Sequence, residues 1–188
     1  MILFFFILDK LTLIDAIYIL HILYILVLSY IRNKYIKIDK NILVTIVVLY
    51  SLYYPYLIYL SDNIIKLNIN FSNGININIA YTFVVLGFIL SILSTLFLNK
   101  SFGIRPALRT IKKNGTYAIV RHPLYLSYIL SDIGLLLIKF NILIFGIIFL
   151  GWLSFLFRIH KEEALLSLSN EWLEYTKNVP YKLFPKIY

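Results

Sequence analysis

Cysteine is absent from the 188 residues, which excludes disulfides, thiolate metal sites, iron–sulfur clusters and cysteine nucleophiles and leaves the redox compartment open. Charge is scarce: 14% of the residues are Asp, Glu, Lys or Arg, against roughly 25% in an ordinary soluble domain. Acidic side chains are scarcer still, nine against eighteen basic ones, for a net charge of +9. The three histidines, His21, His122 and His160, lie far apart with no His-x-x-x-His spacing, so no metal is expected. Neither Gly-x-Gly-x-x-Gly nor Gly-x-x-x-x-Gly-Lys occurs, which removes Rossmann and P-loop nucleotide sites. The length rules out a large multidomain enzyme.

What the chain has in excess is apolar surface, 61% of its residues, gathered into runs of bilayer-spanning length. The opening Met1 to Leu8 lacks the basic cluster and small-residue cleavage site of a signal peptide and reads as mature sequence. A first span is predicted over Leu11 to Ile31, a second over Ile42 to Leu60 with a kinking Pro55, and a third over Tyr81 to Leu98. In the third, Gly87 and Ser91 at i and i+4 offer a close approach to another helix. Pro123 is well placed at the first turn of a fourth helix that runs to about Ile138. Lys139 and Asn141 mark a turn, and Ile142 to Phe157 makes the fifth, so these last two form a tight helical hairpin. The tail from Arg158 is polar and amphipathic and is expected in water or at the membrane surface.

The fold class expected is therefore an all-α integral membrane protein with about five transmembrane helices. Fifteen basic residues fall on one side of such a topology, and only Lys10, Lys66 and Lys139 on the other. The positive-inside rule then puts the amino terminus outside and the carboxyl terminus in the cytoplasm. The positive charge is topological, and no nucleic-acid partner is expected. In the outer connection, Leu67, Ile69 and Phe71 and then Ile75, Ile77 and Ile79 alternate with polar residues about Asn73-Gly74, which suggests a β-hairpin over 67–79. An Asn- and Ile-rich composition yields the same alternation by itself.

Two polar clusters flank the predicted hairpin of helices. Gly115-Thr116-Tyr117 leads into Arg121-His122-Pro123-Leu124-Tyr125, where a helix start with free N–H groups favours an anion. Arg158-Ile159-His160-Lys161-Glu162-Glu163 follows the fifth span. The topology brings both to one membrane face. Spacing alone also allows ordinary roles: Arg121 as an interfacial anchor, Arg158 and Glu162 as a helix pair at i and i+4, Glu163 solvated. Asp132 inside the fourth span is a functional hypothesis by default, or else is satisfied by Ser131 or a neighbouring helix.

Taken together, Ser101-Phe102-Gly103-Ile104-Arg105-Pro106-Ala107, the Gly115 to Tyr125 stretch with its Arg-His-Pro-x-Tyr core, Glu162-Glu163-x-Leu165 and Trp172-x-x-Tyr175 before Pro180 resemble the isoprenylcysteine carboxyl methyltransferase family. Phospholipid methyltransferases share the Arg-His-Pro and Glu-Glu signature. The resemblance covers about residues 99–187 and divides one integrated membrane domain into N-terminal spans, 1–98, and a methyltransferase region, 99–188. It implies an integral membrane enzyme, in the cell membrane if the source is prokaryotic, that moves the methyl of S-adenosylmethionine to a lipid-like or prenylated acceptor. Carried over, the cofactor site falls on Tyr117, His122, Pro123, Tyr125 and Glu163, with Leu126 and Leu165 as apolar walls and Tyr175 closing it from the tail. Arg121, Arg158 and Glu162 take the catalytic roles: an arginine orients a carboxylate acceptor, whereas a glutamate or His122 acts as base for an amine. The chain departs from the family at Ser127, where glycine is usual, at Thr116, where proline is usual, and at Trp172, where tyrosine is usual. A lipid-amine methyltransferase and a non-catalytic membrane scaffold are the alternatives.

Overall fold

A computed structural model describes residues 23–64, 77–138 and 140–187. Helical residues 23–31 form α1, and the strand β1, Lys37–Ile38, follows. Next come α2, Ile42–Ile64, and α3, Ile77–Leu98, which tightens into a 3₁₀ turn at Asn99–Ser101. After β2, Ala107–Leu108, and a second 3₁₀ turn, Gly115–Ala118, come α4, Pro123–Ile138, α5, Ile142–Leu166, and α6, Asn170–Asn178. The described residues are thus overwhelmingly helical. Ile77–Ser101 and Ile142–Leu166 are each long and apolar enough to cross a membrane, while Ile42–Ile58 and Pro123–Ile138 are apolar but shorter. Leu43, Ile46 and Leu49 on α2, Leu86 and Ile89 on α3, and Leu153 and Leu156 on α5 stay exposed. Such apolar faces suit lipid.

Small residues decide which helices meet. A β-carbon on Gly87 of α3 would lie 2.3 Å from Ser131 Oγ and 2.7 Å from the Ser127 carbonyl of α4. Gly134 of α4 in turn faces the Ala80 carbonyl, 2.7 Å from a built β-carbon. The predicted close approach at Gly87 is therefore to α4 along most of its length. On the other side α2 lies along α5, where the Tyr50 hydroxyl donates to the Ile147 carbonyl at 2.8 Å and Tyr54 meets Phe155 edge-on at 5.9 Å. Tyr54, Ile58, Tyr125, Ile144, Ile148, Phe155, Ile159 and Leu183 make the main core. α2 and α3 do not pack on each other along their length but border a cavity.

The connection after α1 is tied to the segment before α4. Strand β1 pairs antiparallel with β2, Lys37 opposite Leu108, and Arg105 and Arg109 donate to the Asp39 and Asn33 carbonyls. These bonds satisfy backbone groups that no helix serves.

Three expectations change. α3 begins at Ile77, so Ile77 and Ile79 are helical and not the return arm of a β-hairpin; the other hairpin residues lie outside the described ones. Here the small-residue face that packs on α4, Ala80 and Gly87, makes the helix win over the local alternation, and the Thr82 hydroxyl returns to the Asn78 carbonyl at 2.7 Å. The turn between α4 and α5 is as short as predicted, with Asn141 capping Leu143 N at 2.8 Å. Its arms nevertheless pack chiefly on α3 and α2 and only briefly on each other. Finally, α5 continues past Phe157 to Leu166 and carries Arg158, Glu162 and Glu163 on a helix and not in a solvated tail. Of the first span, only residues 23–31 are described.

Candidate functional site

The polar end of the fold is built from the 3₁₀ turn, the start of α4, the end of α5, α6 and the final residues. Gly115 opens the turn at φ +62°, a left-handed conformation glycine adopts freely, and a β-carbon there would strike the Phe97 ring. The turn places Tyr117 in the interior, where its carbonyl accepts from the Tyr175 hydroxyl at 2.6 Å. Burial pushes both tyrosine hydroxyls well above their ordinary pKa, so they act only as neutral donors and acceptors. Trp172 stacks edge-on against Tyr175 at 5.3 Å and lies 6.3 Å from the His122 ring.

Arg121 is spent on the tail. Its Nε donates to Glu163 Oε1 at 2.9 Å and its Nη1 to the Val179 and Pro180 carbonyls at 3.1 and 2.8 Å. The backbone amides of Arg121 and His122 donate to the Tyr181 and Lys182 carbonyls, both at 2.9 Å. Two N–H groups expected to await an anion before α4 therefore hold the C-terminal segment. His122 Nε2 lies 3.1 Å from Glu163 Oε1, and Lys182 Nζ lies 3.3 Å from Glu163 Oε2. Glu163 is the shared anion of this clamp.

Glu162, one position earlier, faces elsewhere. Its Oε1 accepts from the Tyr125 hydroxyl at 2.5 Å, and its Oε2 lies 3.9 Å from His122 Nδ1. Arg158 sits over the Tyr125 ring, 5.3 Å from its centroid. Its Nη1 donates to Ser51 Oγ at 2.6 Å and its Nη2 to the Ile104 carbonyl at 2.7 Å, leaving the buried Nε without a partner.

These groups border one cavity of about 650 Å³. Tyr117, Arg121, His122, Tyr125, Arg158, Glu162 and Tyr175 line it; Pro123, Leu126, Glu163 and Leu165 do not. Pro123 starts α4, Leu126 packs on the main core, and Leu166 stands in the wall where Leu165 was expected. His160 is exposed and lies outside the site. Sequence reasoning missed Arg109, Leu166 and the wall role of Trp172. Arg109, whose pKa burial and then Arg32 lower, looked like one more topological charge. Its position 109 offered no helical spacing to reveal it. Ser127, fully buried with its hydroxyl turned back to the Leu124 carbonyl at 2.6 Å, fits beside Gly87.

Away from the polar end the cavity runs between α2 and α3 past Leu52, Pro55, Ile58, Val84, Val85 and Phe88 to Asp132. Asp132 accepts from the Tyr54 hydroxyl, 3.1 Å from each oxygen, and from Trp152 Nε1 at 2.9 Å. Neighbouring helices, not Ser131, supply its partners. Among the described residues no group of three or more His, Cys, Asp or Glu is placed to hold a metal ion.

A helical integral membrane protein with a cavity that is charged and aromatic at one end and apolar at the other is the class these features define. Residues 80–168 match the model of the isoprenylcysteine carboxyl methyltransferase (ICMT) family, the family that the motifs resemble; the match takes in the Arg-His-Pro and Glu-Glu motifs and ends before Trp172. That family is one of membrane methyltransferases. Comparison with curated proteins gave no match.

Proposed function

We propose that the protein is an S-adenosylmethionine-dependent methyltransferase of the isoprenylcysteine type, acting on a lipophilic acceptor, with O-methylation of a carboxylate as the leading reaction. The observation that carries this reading is the single cavity joining the Glu162–Arg158–His122 end to the apolar passage between α2 and α3. A polar cofactor and a lipid tail need those two environments side by side. The residues present fit the cofactor: Glu162 offers a carboxylate to its ammonium, and the buried rings of Tyr117, Trp172 and Tyr175 offer aromatic walls. S-adenosylmethionine, when bound, supplies a methyl group on a sulfonium that needs in-line attack.

The chain's own work is positioning and exclusion of water. Arg158, which lines the cavity over the Tyr125 ring, is the group to orient an acceptor carboxylate. Arg121 and Glu163 are positioning residues that fasten the tail to the start of α4. An ionised carboxylate is already nucleophilic and needs no base. A second reading, methylation of a lipid amine, is favoured by Glu162 and His122 Nδ1 at 3.9 Å, which together would accept the ammonium proton. Five spans with the amino terminus outside and the carboxyl terminus cytoplasmic complete the proposal, supported by the asymmetry of basic residues.

The acceptor tail enters sideways from lipid, since the apolar passage is bordered by helices that present exposed Leu and Ile outward. Three more buried CH₂ groups are then worth about 2.4 kcal/mol at ~0.8 each, nearly two decades in kcat/KM. The test incubates purified protein in detergent with labelled S-adenosylmethionine and prenylcysteines or lipid amines of increasing tail length at equal micellar concentration. Methyl transfer that rises with tail length supports the reading. Absence of cofactor binding would leave the scaffold alternative, and a flat dependence on tail length would remove the lipid-side entrance.

A further inference from the structure

We propose that Asp132 forms a second polar subsite in the apolar arm of the cavity, and that the lipid bound there carries a hydroxyl part-way along its chain. Asp132 borders the cavity and is 7% exposed. Its two donors supply only two hydrogens, because one Tyr54 hydroxyl is shared between both carboxylate oxygens and Trp152 adds one N–H. A carboxylate has about four acceptor positions, so the group retains capacity toward the cavity. Beside it lie Ser131 and Leu135, and the passage leading to it is apolar. An all-hydrocarbon ligand would press methylenes against this carboxylate and leave that capacity dry. A hydroxyl fills it, and a hydroxyl also accepts if the carboxyl is protonated.

A purely mechanical role does not account for an acid at this place. α2 and α5 are joined without it by the Tyr50 bond to Ile147 and by the Tyr54, Ile58, Ile148 and Phe155 packing. α4 is held independently against α3 at Gly87 and Gly134. Asp132 is also in register with the polar end, since Tyr125, the partner of Glu162, precedes it by seven residues on α4. Positions i and i+7 share a helix face, and at ~1.5 Å per residue they stand roughly 10 Å apart along the axis. That separation is the spacing between the ligand's head and its hydroxyl.

The inference rests on the methyltransferase reading only for calling this ligand the acceptor; the subsite itself is tested by binding. The probes are octadecanoic acid and its monohydroxy isomers with the hydroxyl walked along the chain, titrated by calorimetry in one detergent without cofactor. Trp152 emission is followed in parallel, since its indole touches the carboxylate. One mid-chain position should bind tighter than the unsubstituted acid by roughly tenfold to a hundredfold, the range of a hydrogen bond to a charged group. Asp132→Leu should abolish the preference while the unsubstituted acid binds as well or better. A profile with no preferred position, or a preference that survives in Asp132→Leu, overturns the proposal. Should Asp132→Leu fail to fold, the positional profile of the unaltered protein decides alone. A preferred position in protein that binds no S-adenosylmethionine upholds the subsite and refutes the enzyme. Turnover with a flat profile does the reverse.

Discussion

Replacing Glu163 by alanine should release the C-terminal segment without unfolding the helices. Its carboxylate is the common partner of Arg121 Nε at 2.9 Å, His122 Nε2 at 3.1 Å and Lys182 Nζ at 3.3 Å. Removing it leaves Arg121 and Lys182 facing each other across a half-buried space. Breaking a buried ion pair costs roughly 3–5 kcal/mol. The Lys182 and Glu163 side chains are 28% and 18% exposed, so water screens part of the loss, and the low end, about 3 kcal/mol, is the fitting figure. That is about two decades in the local opening equilibrium. The reporters are the Arg121 and His122 amides, which donate to the Tyr181 and Lys182 carbonyls. Hydrogen exchange followed by mass spectrometry should show these two amides exchanging about a hundredfold faster in Glu163→Ala, with α2, α3 and the middle of α5 unchanged. Glu163→Gln keeps an acceptor for Arg121 and should fall between the two. Unaltered protection at Arg121 and His122, or equal loss across every helix, would refute the clamp.

The helix contacts give a second prediction: Gly87→Ala should lower the thermal unfolding midpoint in detergent by the equivalent of about 1–3 kcal/mol, because the new carbon meets Ser127 and Ser131 backbone atoms at 2.7 and 2.8 Å. Gly146→Ala is its control, since nothing lies within 4 Å there, and equal midpoints for the two variants would remove the close approach. For topology, single cysteines at Asn73 and Lys182 of this cysteine-free chain should react differently with an impermeant thiol reagent on intact cells, position 73 labelled and 182 protected. Labelling of 182 alone would invert the orientation.

Local chemistry made some elements legible and long-range packing hid the rest. The limits of α4 follow from Pro123, whose missing N–H costs nothing in a first turn, and from the turn at Lys139 and Asn141, and they agree with the structure residue for residue. The start of α5 at Ile142 follows from Asn141 as its cap. Its end was misplaced because Arg158 looked like the point of exit from the membrane. In the fold Arg158 is sheltered by Ser51, 107 residues away in sequence, and by the Ile104 carbonyl. No local signal announces such partners. The Ile77-Asn78-Ile79 stretch shows the opposite failure: a real alternation, itself exposed, drawn into a helix whose packing on α4 begins at Ala80. In the site, the Arg-His-Pro-x-Tyr and Glu-Glu motifs pointed to the right region, but only geometry separates the side chains that line the cavity from those that brace it.

That separation rests on one helical step. Consecutive residues on α5 point about 100° apart at 3.6 residues per turn, so Glu162 reaches Tyr125 and the cavity while Glu163 reaches Arg121, Lys182 and the tail. His122 stands between them, bonded to Glu163 through Nε2 and 3.9 Å from Glu162 through Nδ1. A ligand that draws on Glu162 therefore acts on the same imidazole that steadies the clamp. Because α6 supplies Tyr175 to the cavity wall and the Tyr181 and Lys182 carbonyls hold the backbone at Arg121 and His122, which also line it, such a ligand favours the closed form over the open one. Linkage then sets the size of the coupling: at a ligand concentration a hundred times its dissociation constant the closed tail gains about 2.7 kcal/mol. This nearly equals the ~3 kcal/mol lost in Glu163→Ala, so saturating ligand should restore most of the exchange protection that the substitution removes, whereas a tail that merely packs nearby would gain nothing from it.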